Sequence, residues 1–173
     1  MLFKDISQFV DTSDYLPLFN GVLITDMIVI CMLIGGAIKS NVLKTWYKDL
    51  SLSAVIADVL IILIGIILAR FLYPYIFKEY SLIKFIGLAV CIQVVHDILF
   101  YQLCVSIPRG RSQILDIFKD YGRENGYKAI LSDSAMMISA ILIGSYLKGK
   151  NLNVNIITMI IAVYIVPYLS YSM

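Results

Sequence analysis

Five long apolar runs occupy most of this chain, and they constrain its fold more than any other feature. A helix needs roughly 20 mostly apolar residues to cross the hydrocarbon core of a bilayer. The chain has 173 residues, of which 60% are hydrophobic and only 15% are charged, so it can hold about five such spans joined by short connections. We therefore predict an all-α integral membrane protein in which residues 1–173 form a single membrane domain.

The spans are separated by glycine, proline and charged residues, which end helices or stay outside lipid. Pro74 marks the end of the second run and Pro108 the end of the third. The predicted spans cover residues 17–38, 52–73, 82–107, 129–147 and 154–169.

Two of the connections have an amphipathic pattern. Residues 112–125 and, more weakly, residues 41–50 place apolar side chains on one side of a helix and charged side chains on the other. This pattern predicts short helices that lie in the membrane interface, with Trp46 as an anchor at the level of the headgroups. Arg70, near the end of the second span, is expected to extend its side chain towards headgroups.

The distribution of basic residues predicts an orientation. Lysine and arginine are more frequent in the first and third connections than in the others, which places those connections in the cytosol, the N-terminus outside and the C-terminus inside. Arg109 and Arg111 of the third connection can hold a lipid phosphate or act as ordinary positive-inside anchors. The small net charge of +2 argues against nucleic acid as a partner. The bilayer is the expected partner, and a homo-oligomer is compatible with the pattern.

The second and fourth spans, residues 54–72 and 129–147, align without a gap, and their small and acidic positions coincide. The first and third spans align at Asp26 and Asp97. We predict a duplicated two-helix hairpin, with both copies in the same orientation, plus one added helix; a chance match between apolar sequences is the alternative. The matched positions are Ala54, Asp58, Gly65 and Ala69 with Ala129, Asp133, Ala140 and Gly144.

Four of the predicted spans contain an aspartate. A charged aspartate in the bilayer centre costs roughly 3 kcal/mol on insertion scales, so these side chains must face the bundle interior, pair, meet water or carry protons. One interpretation is a route or pocket for protons, cations or a small polar solute. The other is that each protonated aspartate bonds a neighbouring helix and locks the bundle. The candidate intramembrane cluster, on the cytosolic half, is Asp26, Asp58, Gln93, His96, Asp97, Asp133 and Ser134.

The sequence does not indicate an enzyme. His96 is the only histidine, and its spacing from the aspartates matches no metal site, so no metal is expected. Nucleophile, phosphate-binding and nucleotide motifs are absent from the sequence. We therefore assign no catalytic residue and expect no cofactor.

Two segments resemble known membrane proteins. Residues 107–137, IPRGRSQILDIFKDYGRENGYKAILSDSAMM, resemble a segment of uncharacterised multi-span membrane proteins of large DNA viruses that infect algae and protists. That resemblance implies a virion or host-cell membrane. Residues 131–143, LSDSAMMISAILI, resemble the last-helix motif of lipoprotein signal peptidases, which implies an aspartyl hydrolase that pairs Asp133 with Asp97 or Asp58. The Asn-x-x-Asp-Arg motif of that family is absent from this sequence.

Overall fold

A computed structural model describes residues 2–173, and those residues fold into seven α-helices without β-strands. Five of these helices are long and apolar enough to cross a membrane, which confirms the all-α prediction and the number of spans. The helices are α1 (Tyr15–Ile34), α2 (Asn41–Leu50), α3 (Leu52–Ile76), α4 (Leu82–Ser106), α5 (Gln113–Asn125), α6 (Tyr127–Lys148) and α7 (Leu152–Ser170).

The ends of two spans differ from the prediction. Helix α1 ends at Ile34 rather than at residue 38, because the chain turns at Gly36, whose φ is 75°. Helix α3 continues through Pro74 to Ile76. Pro74 lacks an amide hydrogen, so α3 loses one hydrogen bond in its last turn and ends two residues later.

Helices α2 and α5 are the two predicted amphipathic helices, and their ends have similar geometry. The side chains of Ser40 and Ser112 accept amide hydrogen bonds of 3.1 and 3.4 Å from the first turns of α2 and α5. Each helix is separated from the next span by one residue of positive φ, Ser51 at 46° and Gly126 at 53°. Both helices therefore turn sharply into the span that follows.

The long helices run back and forth between two ends of the bundle. The N-terminal face carries residues 2–14 and the connections 77–81 and 149–151, and the C-terminal face carries α2 and α5. On the C-terminal face, the rings of Trp46 and Phe118 have centroids 4.9 Å apart. The Ser40 hydroxyl donates a 2.6 Å hydrogen bond to Glu124. Helices α2 and α5 thus pack against each other as a layer across that end.

Helix α1 is the central helix, and it approaches α6 very closely. A Cβ atom added at Gly21 would lie 2.5 Å from the Ala140 carbonyl oxygen and 2.6 Å from the Gly144 amide nitrogen. The two backbones therefore touch, as in the small-residue contacts of membrane helices. The small face of α6 at Ala140 and Gly144 packs against α1.

We expect Gly21→Ala to destabilise the bundle by about 1–3 kcal/mol or more, because the added methyl group overlaps backbone atoms that cannot move aside. Thermal unfolding in detergent, followed by circular dichroism, measures the change. The matched control is Gly87→Ala in α4, where the added Cβ meets nothing within 4 Å. That change should alter stability by less than about 1 kcal/mol, in the stabilising direction. Equal melting temperatures for the two variants would contradict the close packing of α1 on α6.

Candidate functional site

Two of the predicted aspartates meet at one tyrosine hydroxyl. The Oη atom of Tyr47, on α2, lies 2.7 Å from Oδ1 of Asp26 on α1 and 2.9 Å from Oδ2 of Asp58 on α3. The indole nitrogen of Trp46 donates a further 2.9 Å hydrogen bond to the same Asp58 oxygen. The predicted headgroup position of Trp46 is therefore wrong. Trp46 and Tyr47 are both buried because α2 packs under the bundle rather than lying free in the interface.

Asp26 is the most enclosed member of this group. Its side chain is fully buried, and its second carboxyl oxygen, Oδ2, has no hydrogen-bond partner in residues 2–173. Burial raises the pKa of the Tyr47 phenol well above its usual value, and the charges of Asp58 and Asp26 raise it further. Tyr47 therefore keeps its proton at neutral pH and serves as a hydrogen-bond donor.

Asp97 is held by its own helix. Its Oδ1 atom accepts a 2.6 Å hydrogen bond from Gln93 and lies 3.3 Å from Nδ1 of His96. Its Oδ2 atom is buried and has no partner in the part of the chain that the structure describes. The His96 ring stacks on Phe100 with centroids 5.5 Å apart and lines an apolar groove of about 330 Å³ on the outside of the bundle.

Asp133, the fourth aspartate of the predicted cluster, lies on α6. Burial raises the pKa of Tyr121 on α5, and the charges of Asp133, Asp58 and Asp97 raise it further. These three carboxylates are therefore within electrostatic range of the Tyr121 hydroxyl, although within residues 2–173 none of them forms a hydrogen bond to it. Within residues 2–173, neither Asp133 nor Ser134 makes a side-chain hydrogen bond to protein. For these two members of the predicted cluster the structure gives no hydrogen bond or ion pair within residues 2–173.

The four aspartates lack strong basic partners. Among residues 2–173, the ion pairs formed by lysine and arginine involve other carboxylates, and the aspartate cluster has only the contact of His96 with Asp97. In the same range, no group of three or more His, Cys, Asp or Glu side chains is arranged to hold a metal ion. The negative charge of the cluster is therefore not balanced by fixed positive charges.

A second polar cluster lies at the N-terminal face. The Arg70 guanidinium is fully buried, donates a 2.9 Å hydrogen bond to Asp14 and contacts the carbonyl oxygens of Gln8 and Asp11. The ammonium of Lys148 lies 2.5 Å from the other Asp14 oxygen. The predicted exposure of Arg70 to headgroups is wrong, because residues 2–14 fold over the end of α3 and supply it with acceptors.

The chain N-terminal to α1 is bound to the bundle along its length. The amide of Lys4 donates to the Ser145 carbonyl at 3.2 Å, and the Ser145 hydroxyl donates to the Lys4 carbonyl at 2.6 Å. Ile6 is fully buried. The segment therefore covers the N-terminal face rather than extending into solvent.

The two arginines predicted to bind lipid headgroups differ in their contacts. Arg109 pairs with Asp120 of α5, and this hydrogen bond lowers the pKa of the Asp120 carboxyl. Arg111 is exposed. Headgroup binding by these residues stays a prediction.

The sequence prediction did not include Tyr47, Asp14 or Lys148 among the polar residues that matter. Tyr47 could have been suspected, because it follows Trp46 directly in a helix whose apolar side had to cover part of the bundle. Asp14 and Lys148 carry no comparable signal, since both lie at span ends where charged residues are common.

Comparison of the chain with protein-family models, with curated proteins and with solved structures gives no match.

We expect Arg70→Met to destabilise the protein by roughly 3 kcal/mol, the lower end of the range for breaking a buried pair, since Lys148 remains beside Asp14. The double variant with Asp14→Asn should lose less than the sum of the single changes, because the two side chains interact. Thermal unfolding in detergent measures the stability of Arg70→Met, Asp14→Asn and the double variant. The control is Arg109→Met, which breaks an exposed pair and should leave stability almost unchanged. Additive effects for Arg70 and Asp14 would contradict the pairing.

Proposed function

We propose that this chain is a polytopic membrane protein whose aspartate cluster binds protons and passes them along part of a transmembrane route. The observation that carries the proposal is the meeting of Asp26 and Asp58, from different spans, at the Tyr47 hydroxyl, without lysine or arginine to balance them among residues 2–173. Ionised carboxylates at such short range and away from water repel one another strongly. Protons are the simplest charges that relieve this repulsion.

The spacing of the oxygens favours protons over metal cations. Separations of 2.7 and 2.9 Å between Tyr47 and the two carboxylates are those of hydrogen bonds. A calcium or magnesium ion needs about six oxygen ligands around it at roughly 2.0–2.6 Å. Between Asp26 and Asp58 the Tyr47 hydroxyl already occupies the place where a cation would sit.

A structural role is the main alternative. Asp26 and Asp58 both bind α2, so the same hydrogen bonds can simply lock α2 against α1 and α3. In that case the protein would be a non-catalytic component of its membrane. The resemblance of residues 107–137 to membrane proteins of large DNA viruses supports a virion or host-cell membrane as the location. The excess of basic residues near α2 and α5 supports a cytosolic C-terminal face.

An aspartyl hydrolase is less well supported. Such enzymes hold one water between two carboxylates that share a proton. The Tyr47 hydroxyl fills the corresponding place between Asp26 and Asp58, and Asp133 forms no hydrogen bond to Asp97 or Asp58 in residues 2–173. The peptidase-like motif around Asp133 thus lacks the paired geometry.

The internal duplication is also part of this proposal. Its support is the similar geometry of α2 and α5, which share serine caps and a positive-φ residue before the next span. Counting from Ser40 to Ser51 and from Ser112 to Gly126, the second copy is three residues longer (14 against 11).

The test is proton flux into liposomes that contain the purified protein and a trapped pH-sensitive dye, driven by a potassium diffusion potential. The wild-type protein should transport protons, and Asp58→Asn and Asp133→Asn should each reduce the rate by about a hundredfold, the effect of removing one group from a proton-transfer chain. The asparagine side chain keeps the size of aspartate but cannot exchange a proton in the same way.

The matched control is Asp49→Asn, at the exposed end of α2, which should conduct like the wild type. Circular dichroism and size-exclusion chromatography establish that each variant is folded. A folded wild-type protein without flux, whose aspartate variants change only in melting temperature, would support the structural role instead.

A further inference from the structure

The hydrogen bonds around Tyr47 require a proton on one of the two carboxyl groups. A phenol carries one hydrogen and can donate it to one acceptor at a time. Tyr47 nevertheless lies within hydrogen-bond distance of both Asp26 Oδ1, at 2.7 Å, and Asp58 Oδ2, at 2.9 Å. If Tyr47 donates to one carboxylate, the other short contact needs a hydrogen supplied by the carboxyl group itself.

The surroundings distinguish the two carboxyl groups. Asp58 Oδ2 also accepts from the indole of Trp46, which is a donor only. A carboxylate oxygen that accepts hydrogen bonds from two donors is strongly stabilised in its ionised form. Asp26 has no second donor, and its Oδ2 atom is buried without a partner in residues 2–173. An unpaired carbonyl oxygen of a neutral acid costs much less in such a place than an unpaired carboxylate oxygen.

We propose that Asp26 holds a proton on Oδ1 and that Tyr47 relays it to Asp58, so that Tyr47 is the residue through which the two spans exchange protons. In this step the O–H bond at Asp26 breaks as a new one forms at Tyr47 Oη. The original Tyr47 proton moves at the same time to Asp58 Oδ2. One negative charge passes from Asp58 to Asp26, and no electron transfer or further reactant is involved. The role of this relay in transport rests on the proposed function, whereas the location of the proton on Asp26 does not.

Tyr47 suits a concerted relay better than a stepwise one. Its raised pKa, caused first by burial and then by the two carboxylates, makes a free tyrosinate unfavourable. The proton that arrives and the proton that leaves must therefore move together. The neighbouring ionisable groups are Asp26 on α1, Asp58 on α3, and, beyond Asp58, Tyr121 on α5 with Asp97 on α4 and Asp133 on α6.

Infrared difference spectroscopy of the purified protein locates the proton, because a protonated carboxyl group has a carbonyl stretch that a carboxylate lacks. We expect an acid band at neutral pH that disappears in Asp26→Asn and persists in Asp58→Asn. In Tyr47→Phe the band should persist but shift, since the acid loses its hydrogen-bond acceptor. A band that disappears in Asp58→Asn and not in Asp26→Asn, or no band assignable to either residue, would overturn the assignment.

Proton flux tests the relay. Tyr47→Phe removes only the hydroxyl and should lower the rate by about a hundredfold. The control is Tyr73→Phe, which removes the hydroxyl of another buried tyrosine, at the N-terminal face, and should conduct like the wild type. If Tyr47→Phe fails to fold, Trp46→Phe, which keeps Tyr47 but removes a donor from Asp58, should still slow the flux and add acid absorption from Asp58.

The two proposals fail in different ways. Wild-type flux that persists unchanged in Tyr47→Phe would overturn the relay and leave the proposed proton route standing. If the wild-type protein shows no flux, the proposed function and the relay both fail, while an acid band lost only in Asp26→Asn still supports the proton on Asp26.

Discussion

The structure depends on one constraint: α1 is the most buried of the five long helices, so polar side chains on it and at its N-terminal end need partners on neighbouring helices or segments. Asp14, Asn20 and Asp26 are all fully buried. They are six residues apart, and each step of six turns the side chain by about 240° around the helix axis. The three side chains therefore face different neighbours.

Each of these side chains connects α1 to a different part of the bundle. Asp14 binds Arg70 of α3 and Lys148 of α6. The Asn20 side chain donates a 2.9 Å hydrogen bond to the backbone carbonyl of Asn155 in α7, and the Asn155 side-chain amide donates to the α6 carbonyl of Leu147 at 3.0 Å. Asp26 binds Tyr47 of α2. The close contact at Gly21 is a further connection between α1 and α6. Polar pairing thus fixes which helices surround α1, and small residues fix how closely they pack.

The spans were predictable from sequence because the hydrocarbon thickness sets the length of an apolar helix, whatever its neighbours are. The partners of the buried polar groups were not predictable from sequence. Hydropathy identified Asp58 as an intramembrane carboxyl group, but its contact with Trp46 depends on α2 folding under α3 after a turn at Ser51. Arg70 shows the same limit, since its acceptors lie some 60 residues earlier (70 − 11 = 59, 70 − 8 = 62) in a segment with no membrane signal. The apolar pattern predicted the intramembrane aspartates, but the burial of Arg70 and the partners of these groups came only from the tertiary structure.

The pairing of α1 with α6 also has a consequence for biosynthesis. Helix α1 is synthesised before α6, its closest neighbour, whose contact residue Gly144 follows Gly21 by more than one hundred positions. Until α6 is made, Asp14 lacks its contact with Lys148 and Gly21 lacks its close contact with Ala140 and Gly144. The packing around α1 can therefore be completed only after α6 has been synthesised and inserted.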